Sequence, residues 1–397
     1  MSDKKPEDQM TEGDWERLAF MAGTVFRPSA PVNRKDLFAG RQTQLRKVVD
    51  SINQPGLHAV LYGERGVGKT SLANMLFPEI WGAVRPVVIP KINCLHSDDY
   101  SAIWKRVFEE ARELFRGIKD DIPEEDLEGL SEVTGESFPE VTPDHVRRLL
   151  TRLGHHAILV VVIDEFDTVD DFPSTVAMAD TLKSLSDRNV PATVVLIGVA
   201  EDIESLIENH LSVERCLCQI PIPRMSRDEI EEIITTGLSE LELTIDDGAL
   251  HEISRLSRGL PHYAHLIGLH AARTAIDRHS FGVVQTDMPQ AIERALEEVQ
   301  ASTKTEYVYA TTSARKDAQY KQVLLAAALA DCDELGYFYA ADVRPTFSRV
   351  SKRSRKIDSF TKHLNAFCRA DRSEVLEKDE RTSRTRYRFR NPLLQPY

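Results

Sequence analysis

The stretch that decides the fold is Gly63-Glu64-Arg65-Gly66-Val67-Gly68-Lys69-Thr70-Ser71. It fits the phosphate-loop pattern, in which two glycines enclose four residues and Gly-Lys-Ser/Thr closes the motif. The apolar residues 57–62 precede it and predict a buried strand, and residues 71–77 predict the first turns of a helix. Strand, glycine loop and helix are the context that the pattern needs. The alternative is a glycine-rich turn without a ligand.

A loop of this kind binds phosphate mainly with its backbone. Glycines let several N–H groups point at one anion, and the following helix adds the positive end of its dipole. We expect Lys69 to reach the β- and γ-phosphates of a nucleotide and the Thr70 hydroxyl to ligate Mg²⁺. The predicted nucleotide-binding residues in the loop are Gly63, Glu64, Arg65, Gly66, Val67, Gly68, Lys69, Thr70 and Ser71.

A second motif lies about ninety residues further on. Residues 157–163 are continuously apolar, as in a strand buried on both faces of a parallel sheet. Asp164 ends this strand, where a carboxylate can hold Mg²⁺ directly or through water. Glu165 follows as the candidate base that polarises the attacking water. Without the phosphate loop, two acids after a strand would be an ordinary surface turn.

Strands and helices alternate up to residue 220, which predicts an α/β fold with a parallel sheet between helices. Ligands of such sheets bind outside the carboxyl ends of the strands. From Ser226 the pattern is purely helical, and Glu229 completes a capping box with Ser226. This part predicts a helical lid. Three helices and a β-hairpin at the C-terminus predict a winged helix.

The predicted organisation has five parts. They are a partly disordered N-terminal extension (1–35), an α/β nucleotide-binding domain (36–223), a helical lid (224–301), a linker (302–314) and a basic winged helix (315–397). Residues 120–140 carry nine acidic and no basic side chains, which predicts an acidic insertion, mostly a solvated loop with a little helix. The alternative is that the insertion repels nucleic acid or binds a basic partner.

Charge is unevenly distributed along the chain. The net charge of −13 argues against a protein that coats nucleic acid with its whole surface. Residues 342–397 nevertheless carry fifteen Lys or Arg and seven Asp or Glu, a net +8. This basic part either contacts double-stranded DNA, mostly at phosphates, or docks a protein with its arginines solvated. The candidate DNA contacts are Lys362 and Arg369 on the third helix and Arg381, Arg384 and Arg386 in the wing.

Apolar runs and cysteine spacing in the sequence bear on the cellular compartment of the protein. No run reaches the about 18 apolar residues of a membrane span, and residues 1–10 lack the apolar core of a signal peptide. The five cysteines form no C-x-x-C pair, which fits a reducing compartment. We therefore expect a cytoplasmic protein without membrane contact.

With both motifs in place, the chain resembles the AAA+ ATPases, in particular the origin-recognition (ORC/Cdc6-like) and signal-transducing (STAND) branch. The resemblance covers about residues 37–277 and, more loosely, the winged helix; residues 63–71 and 159–167 correspond to the Walker A and Walker B motifs. It implies that the cofactors are ATP and Mg²⁺. Residues 37–41 look like the family's adenine-proximal turn, which implies that Gly40 and Arg41 lie near the base. The alternative is a packing turn.

One arginine is implicated by the same resemblance. Glu214-Arg215-Cys216 resembles the Ser-Arg-Cys motif of clamp loaders, whose arginine projects into the nucleotide of a neighbouring subunit. Arg215 is therefore the candidate arginine finger, since a cation stabilises charge that develops on γ-phosphoryl oxygens. The alternative is an arginine at a strand edge paired with Glu214.

Two positions depart from the family pattern. Val199-Ala200-Glu201 stands where relatives carry a polar sensor, often Asn, so Glu201 is the polar candidate. His262, in Gly259-Leu260-Pro261-His262, aligns with the second sensor, where ORC-like relatives have Arg. A histidine is a weaker, pH-dependent γ-phosphate contact, and its alternative role is that of a core residue. Both departures suggest slow hydrolysis.

Three hypotheses follow. The first is an ATP-dependent switch that controls oligomerisation, or engagement of a partner or DNA, through the winged helix. The second is a signalling or anti-phage defence ATPase that acts on a separate effector protein without binding DNA. The third is a nucleotide-bound scaffold that does not hydrolyse ATP. In the first two we expect a homo-oligomer or a partner protein.

Overall fold

The computed structural model describes residues 10–28, 40–76, 80, 85–117, 123–135, 138, 140–199, 213–299, 301–313, 318–333, 336–379, 384–391 and 394–397. The chain divides into two compact units. The first, which we call the sheet unit, comprises Val32–Gly63 and Lys69–Ile222. The second, the helical unit, comprises Met1–Pro31, Glu64–Gly68 and Pro223–Tyr397.

The α-helices in the described residues are α1 (Glu12–Val25), α2 (Gln42–Ile52), α3 (Lys69–Asn74), α4 (Tyr100–Arg116), α5 (Glu124–Thr134), α6 (Pro143–Gly154), α7 (Phe172–Asp187), α8 (Arg227–Glu240), α9 (Asp247–Ser257), α10 (Pro261–Asp277), α11 (Met288–Glu298), α12 (Ala301–Thr311), α13 (Tyr320–Ala328), α14 (Ala340–Val350) and α15 (Asp358–Phe367). None of them is long and apolar enough to cross a membrane.

The strands in the described residues are β1 (His58–Tyr62), β2 (Val87–Val88), β3 (Lys91–Asn93), β4 (Ile158–Asp164), β5 (Ala192–Gly198), β6 (Leu217–Pro221), β7 (Thr244–Ile245), β8 (Gly282–Val283), β9 (Phe338–Tyr339), β10 (Leu376–Asp379) and β11 (Arg386–Phe389).

The sheet unit is built on a parallel sheet. Its strand order is β2-β4-β5-β1-β6, and β3 also pairs with β4. Every residue of β5 is buried, as its apolar run requires. The predicted parallel α/β sheet is therefore confirmed. The strands β2 and β3 are short and lie on either side of Pro90, which has no N–H for the ladder, although its carbonyl accepts from Val162 N at 2.9 Å.

The acidic insertion is a packed helix over Glu124–Thr134, so the prediction of a mostly solvated loop is wrong there. Leu130 and Val133 are buried in the core of the sheet unit. Asp126 faces two bases, with Arg152 at 2.5 Å and His156 at 2.9 Å. The segment therefore buries one of its carboxylates against Arg152 and His156 and turns an apolar face to the core.

The helical unit begins with α1, where the sequence predicted only a short helix in a partly disordered extension. Trp15 is buried and stacks on His279 with ring centroids 5.3 Å apart. Phe26, just after the helix, is 1% exposed. The capping box at Ser226 is present, with Ser226 N donating to Glu229 Oε2 at 2.8 Å. Residues 1–9 lie outside the described part.

Residues 320–397, which we call the C-terminal segment, contain the predicted three helices and the hairpin. Strands β10, β11 and β9 form an antiparallel sheet with β11 in the centre. The sequence missed β9 because it is two residues long. Since β11 is central, Tyr387 and Phe389 are buried. The predicted linker is helical over Ala301–Thr311.

Candidate nucleotide-binding site

The phosphate loop needs its glycines for space and for backbone shape. A Cβ at Gly63 would lie 2.3 Å from the carbonyl oxygen of Ile222, so no side chain fits there. Gly66 and Gly68 have φ of 86° and 97°, in the left-handed region that favours glycine. Arg65 is exposed and Val67 is buried. The loop therefore has the backbone geometry that the motif predicts.

Lys69 is the first residue of α3, and its amine points back at the loop. The side chain is largely buried, and Nζ donates to the carbonyl oxygen of Gly63 at 2.9 Å. A buried ammonium favours an anionic acceptor over a neutral carbonyl, because opposite charges attract more strongly where the dielectric constant is low. A phosphate at this loop is an acceptor for which Lys69 is already placed.

Thr70 and Asp164 meet although 94 residues separate them. Thr70 Oγ1 donates to Asp164 Oδ2 at 2.8 Å, and Asp164 is 2% exposed at the end of β4. Hydroxyl and carboxylate oxygens are hard ligands that suit Mg²⁺. Among the described residues there is no cluster of three or more His, Cys, Asp or Glu for a metal. The pair therefore fits Mg²⁺, an ion that keeps water and phosphate oxygens in its coordination shell.

The structure adds Lys91, which no motif indicated. Its Nζ lies 3.9 Å from Asp164 Oδ2 and donates to Asn74 Oδ1 at 2.7 Å. Burial lowers the pKa of Lys91, and the negative charge of Asp164 acts in the opposite direction. The sequence feature that could have indicated Lys91 is a lysine beside the apolar residues of a short strand. Its position lets it orient Asp164.

Glu165 directly follows Asp164 with an exposed side chain and a strained backbone. Its φ of 57° is left-handed, which costs a non-glycine residue about 1–3 kcal/mol. Thr168 holds this turn, because its N and Oγ1 donate to the Glu165 carbonyl at 3.0 and 2.7 Å. Asp167 Oδ1 accepts from Val199 N at 2.9 Å, which ties the turn to the end of β5. Sequence analysis missed Asp167, and Ala200 and Glu201 lie outside the described residues.

Arg215 lies in a short 3-10 turn before β6 and is exposed. It forms an ion pair with Asp187 rather than with Glu214, its expected alternative partner. An exposed pair of this kind contributes little to stability, typically about 0–1 kcal/mol. The guanidinium can therefore exchange its partner at small cost.

His262 is held by a backbone carbonyl. Its Nδ1 lies 2.7 Å from Pro28 O, which can only accept, so Nδ1 carries the proton. Burial lowers the pKa of His262, which opposes a second proton on Nε2. A neutral ring in this arrangement has no N–H left for a phosphate. The geometry thus favours the alternative role of a satisfied, partly buried histidine.

Gly40 and Arg41 both have left-handed backbones, with φ of 67° and 62°, immediately before α2. Arg41 is 3% exposed, and its carbonyl accepts from Leu45 N at 2.9 Å. Residues 37–39 of the same turn lie outside the described residues. Proximity to an adenine base stays a prediction.

The basic residues of the C-terminal segment fall into two groups. Arg386 is paired with Asp379 at 2.9 Å, and its guanidinium lies 4.0 Å from the centre of the Tyr337 ring. Lys362, Arg369 and Arg384 are exposed. Arg381 lies outside the described residues. The wing strand is thus less available to phosphates than its sequence suggested.

Comparisons with known proteins agree with this geometry. Residues 37–197 match the model of the AAA ATPase domain. A Walker-type ATPase of Pyrococcus abyssi is similar at 17% identity, with 94% of this chain and 98% of that chain covered and a TM-score of 0.56. Cdc6p of Pyrobaculum aerophilum is similar at 16% identity, with 94% of both chains covered and a TM-score of 0.46. The ORC2 protein of Aeropyrum pernix is similar at 13% identity, with coverage of 100% and 95% and a TM-score of 0.48.

The matched stretch contains the glycine loop, Thr70, Asp164 and the strands β1 to β5, apart from the last residue of β5. The similarity at a TM-score of 0.56 spans nearly the whole chain and indicates the same fold. Fold, site geometry and family model therefore agree over residues 37–197, which are similar to the AAA ATPase domain.

Proposed function

We propose that this chain is an ATP-dependent switch of the ORC/Cdc6-like type, which binds Mg²⁺–ATP, hydrolyses it slowly and thereby controls oligomerisation or engagement of a partner or DNA. The observation that carries the proposal is the 2.8 Å contact between Thr70 and Asp164. Two predicted metal ligands from distant segments meet beside Lys69, a lysine that the motif assigns to phosphates. A ligand switches a protein only through different affinities for its two states.

The residues take separate roles. Lys69 contacts the β- and γ-phosphates, and backbone N–H groups of the loop donate to the remaining phosphate oxygens. Thr70 and Asp164 hold Mg²⁺, which neutralises charge on the phosphates when bound. Lys91 orients the Asp164 carboxylate. Glu165, exposed and adjacent to Asp164, polarises the attacking water as general base.

The direct test is an equilibrium titration of the full chain with a fluorescent ATP analogue. We expect saturable binding that EDTA weakens about tenfold or more, a loss of about 1.4 kcal/mol or more, since the metal offsets phosphate charge. An absence of saturable binding with Mg²⁺ present would overturn the proposal.

We expect hydrolysis to be slow because His262, whose Nδ1 is bound to Pro28 O, would be a weaker contact for the γ-phosphate than an arginine. Completion of the site by a second copy, through Arg215, remains part of the proposal. Its exposure and its replaceable Asp187 partner support that role.

Replacing Arg215 by Ala should lower kcat about tenfold or more while ATP affinity stays within about threefold, because the arginine would act on charge that develops during the reaction. In the wild type, turnover per subunit should rise with protein concentration, whereas in Arg215→Ala it should not. The control is Arg148→Ala, which removes another exposed arginine paired with an aspartate. Turnover that does not depend on concentration, or on Arg215, would exclude the trans role.

The C-terminal segment, which we propose is a winged helix, has an unpaired basic surface away from the wing. Residues 343–370 carry eight Lys or Arg and a single acid, Asp358. The turn between α14 and α15, residues 349–356, which we call the basic turn, exposes Arg349, Lys352, Arg353 and Lys356. None of these four forms an ion pair with a carboxylate in the described part of the chain.

Three arginines in and next to β11, by contrast, are paired with carboxylates; they are Arg386, Arg388 and Arg390. Arg388 pairs with Glu377 at 2.5 Å, and Arg390 pairs with Glu374. Phosphate binding requires cations that are not already neutralised. The basic turn and Lys362, at the exposed side of α15, are therefore the preferred surface for a DNA duplex.

Replacing Arg353, Lys356 and Lys362 together by Gln should weaken duplex DNA binding about tenfold or more at about 0.1 M salt. The salt dependence, as the slope of log K against log salt concentration, should become shallower by about 2.7 for three lost phosphate contacts. Fluorescence anisotropy with a labelled duplex at several salt concentrations measures both quantities.

The control for this experiment is the double variant Glu374→Gln, Arg390→Gln, which leaves the wing charge unchanged and should bind like the wild type. Two alternatives have their own outcomes. No duplex binding by the wild type at low salt would favour the signalling ATPase whose winged helix docks a protein, a role that the neutralised wing arginines also suit. ATP binding without any turnover would favour the scaffold.

A further inference from the structure

A buried ion pair lies within the phosphate loop itself. Glu64, the second residue of the loop, accepts hydrogen bonds from Arg224 Nε at 2.6 Å and Nη2 at 3.3 Å. The two side chains are 2% and 7% exposed. The motif leaves this position open, so it gives no reason for a carboxylate in a loop that binds an anion. Arg224 follows β6 and belongs to the helical unit together with Glu64.

The remaining nitrogen of Arg224 contacts the end of the chain. Nη1 donates to Gln395 Oε1 at 2.5 Å, and Gln395 Nε2 donates to Ala328 O, at the end of α13, at 3.1 Å. Gln395 is 4% exposed. One guanidinium thus joins the loop carboxylate to the C-terminal segment through three nitrogens in a fixed planar arrangement.

A glycine turn closes over the same pair. Gly336, just before β9, has φ of 79°, and a Cβ there would lie 2.0 Å from Glu64 Oε1 and 3.0 Å from Arg224 Nη2. Arg258 adds a further tie, because its Nη2 donates to Ala330 O at 2.6 Å. The C-terminal segment therefore packs directly on the Glu64–Arg224 pair.

The charges explain why this matters for an anion. A carboxylate that is 2% exposed in the loop repels phosphate unless a cation offsets it. Arg224 is the cation that the structure supplies. Removing one member of a buried pair takes away the charge that offsets the other. Removal of Arg224 should therefore weaken the binding of a polyphosphate, whereas removal of Glu64 should strengthen it.

We infer that Arg224 is a positioning residue for the phosphate loop, and that Gln395, through Arg224, makes nucleotide affinity depend on how the C-terminal segment is seated. This rests on the proposed function, in which the loop binds ATP. By thermodynamic linkage, nucleotide binding must then change the stability of the Gln395 contact by the same factor. Nucleotide binding at the loop is thus coupled to the C-terminal segment through the side chains of Arg224 and Gln395.

The test compares ATP titrations of matched variants. Arg224→Met should raise the ATP Kd about tenfold or more, because an uncompensated Glu64 remains. Glu64→Gln should lower the Kd, because the positive charge of Arg224 is then no longer offset by Glu64. The double variant should return to within about threefold of the wild type. A merely structural pair predicts that both single variants weaken binding together.

Three further variants keep the test decisive. Arg224→Lys retains the positive charge but not the planar guanidinium, so it should raise the ATP Kd less than Arg224→Met does. It replaces Arg224→Met in the test if that variant does not fold. Gln395→Leu, without a charge change, should raise Kd about threefold. Arg278→Met removes a comparable bidentate arginine, whose Nη2 lies 2.9 Å from Asp287 Oδ2. This control variant should not affect the ATP Kd.

The outcomes also separate this inference from the proposed function. Wild-type ATP binding with unchanged affinity in Arg224→Met, or equal losses in Arg224→Met and Glu64→Gln, overturns the inference alone. An absence of ATP binding by the wild type overturns both.

Discussion

Replacing Lys69 by Met should raise the ATP Kd about 100-fold or more, a loss of about 2.7 kcal/mol. Lys69 is buried at the loop and already donates to Gly63 O at 2.9 Å, so its ammonium is placed before a phosphate arrives. A hydrogen bond from a charged donor contributes about 1.5–3 kcal/mol, and the loss of its charge near several phosphate oxygens adds to this. Methionine retains an apolar stem of similar length and limits the loss of packing.

The measurement is a titration with a fluorescent ATP analogue, supported by thermal unfolding with and without Mg²⁺–ATP. A ligand at 100 times its Kd stabilises the native state by about 2.7 kcal/mol. We expect this gain in the wild type and little of it in Lys69→Met. The matched control is Lys47→Met, which removes an exposed lysine of α2 in the same unit.

If Lys69→Met bound ATP like the wild type, the loop would not be the nucleotide site. If the variant lost stability in the absence of ATP as well, the binding data would be restricted to temperatures at which it is folded. The control variant distinguishes a loss of phosphate contact from a general effect of removing a lysine.

Replacing Glu165 by Gln should lower kcat about 100-fold or more, while the ATP Kd stays within about threefold. A positioned general base contributes about 10²–10⁴ in rate, and the amide cannot accept the proton. Glu165 is exposed, and its hydrogen bonds within the described part of the chain involve only its backbone, so the substitution should leave the turn intact. Gln meets the same left-handed strain as Glu, so folding stability should change little.

Phosphate release under saturating ATP measures this effect. Asp170→Asn is the control, since it converts an exposed carboxylate of the same loop to an amide. Turnover of Glu165→Gln equal to a measurable wild-type rate would assign the base to another residue. Equal turnover at background level in both proteins would instead support the non-hydrolysing scaffold.

Only part of the site could have been predicted from the sequence. The lysine and threonine of the loop and the acids after β4 are recognisable because each lies in a contiguous motif of strand, turn and helix. Lys91 was missed because it belongs to no such motif, and Asp167 was missed because its place at the end of the second motif indicates no partner for it. Lys91 acquires a role only when parallel pairing places β3 beside β4, with Asn93 in register with Asp164. Asp167 acquires a role only because its Oδ1 accepts a hydrogen bond from Val199 N.

The errors have a related cause. The acidic insertion was expected to be mostly solvated because its composition is polar, yet Leu130 and Val133 provide an apolar face and Asp126 finds two bases. Arg386 was predicted as a DNA contact because it lies in the basic C-terminal part of the sequence. Antiparallel pairing of β10 with β11 places Glu377 opposite Arg388 and Asp379 opposite Arg386, which neutralises them. Composition counts charges but does not indicate which of them are paired.

The sequence by itself determined the parallel α/β fold, the phosphate loop, the acids after β4 and the capped helices that follow. These depend on periodicity, turn chemistry and spacing within a few residues. Only the tertiary structure decided that Thr70 meets Asp164, that the basic turn exposes four cations without an ion pair to a described carboxylate, and that Arg224 links Glu64 to Gln395 across 160 and 171 residues of chain. The physical reason is that such partners are brought together by strand order and packing, which no local pattern contains.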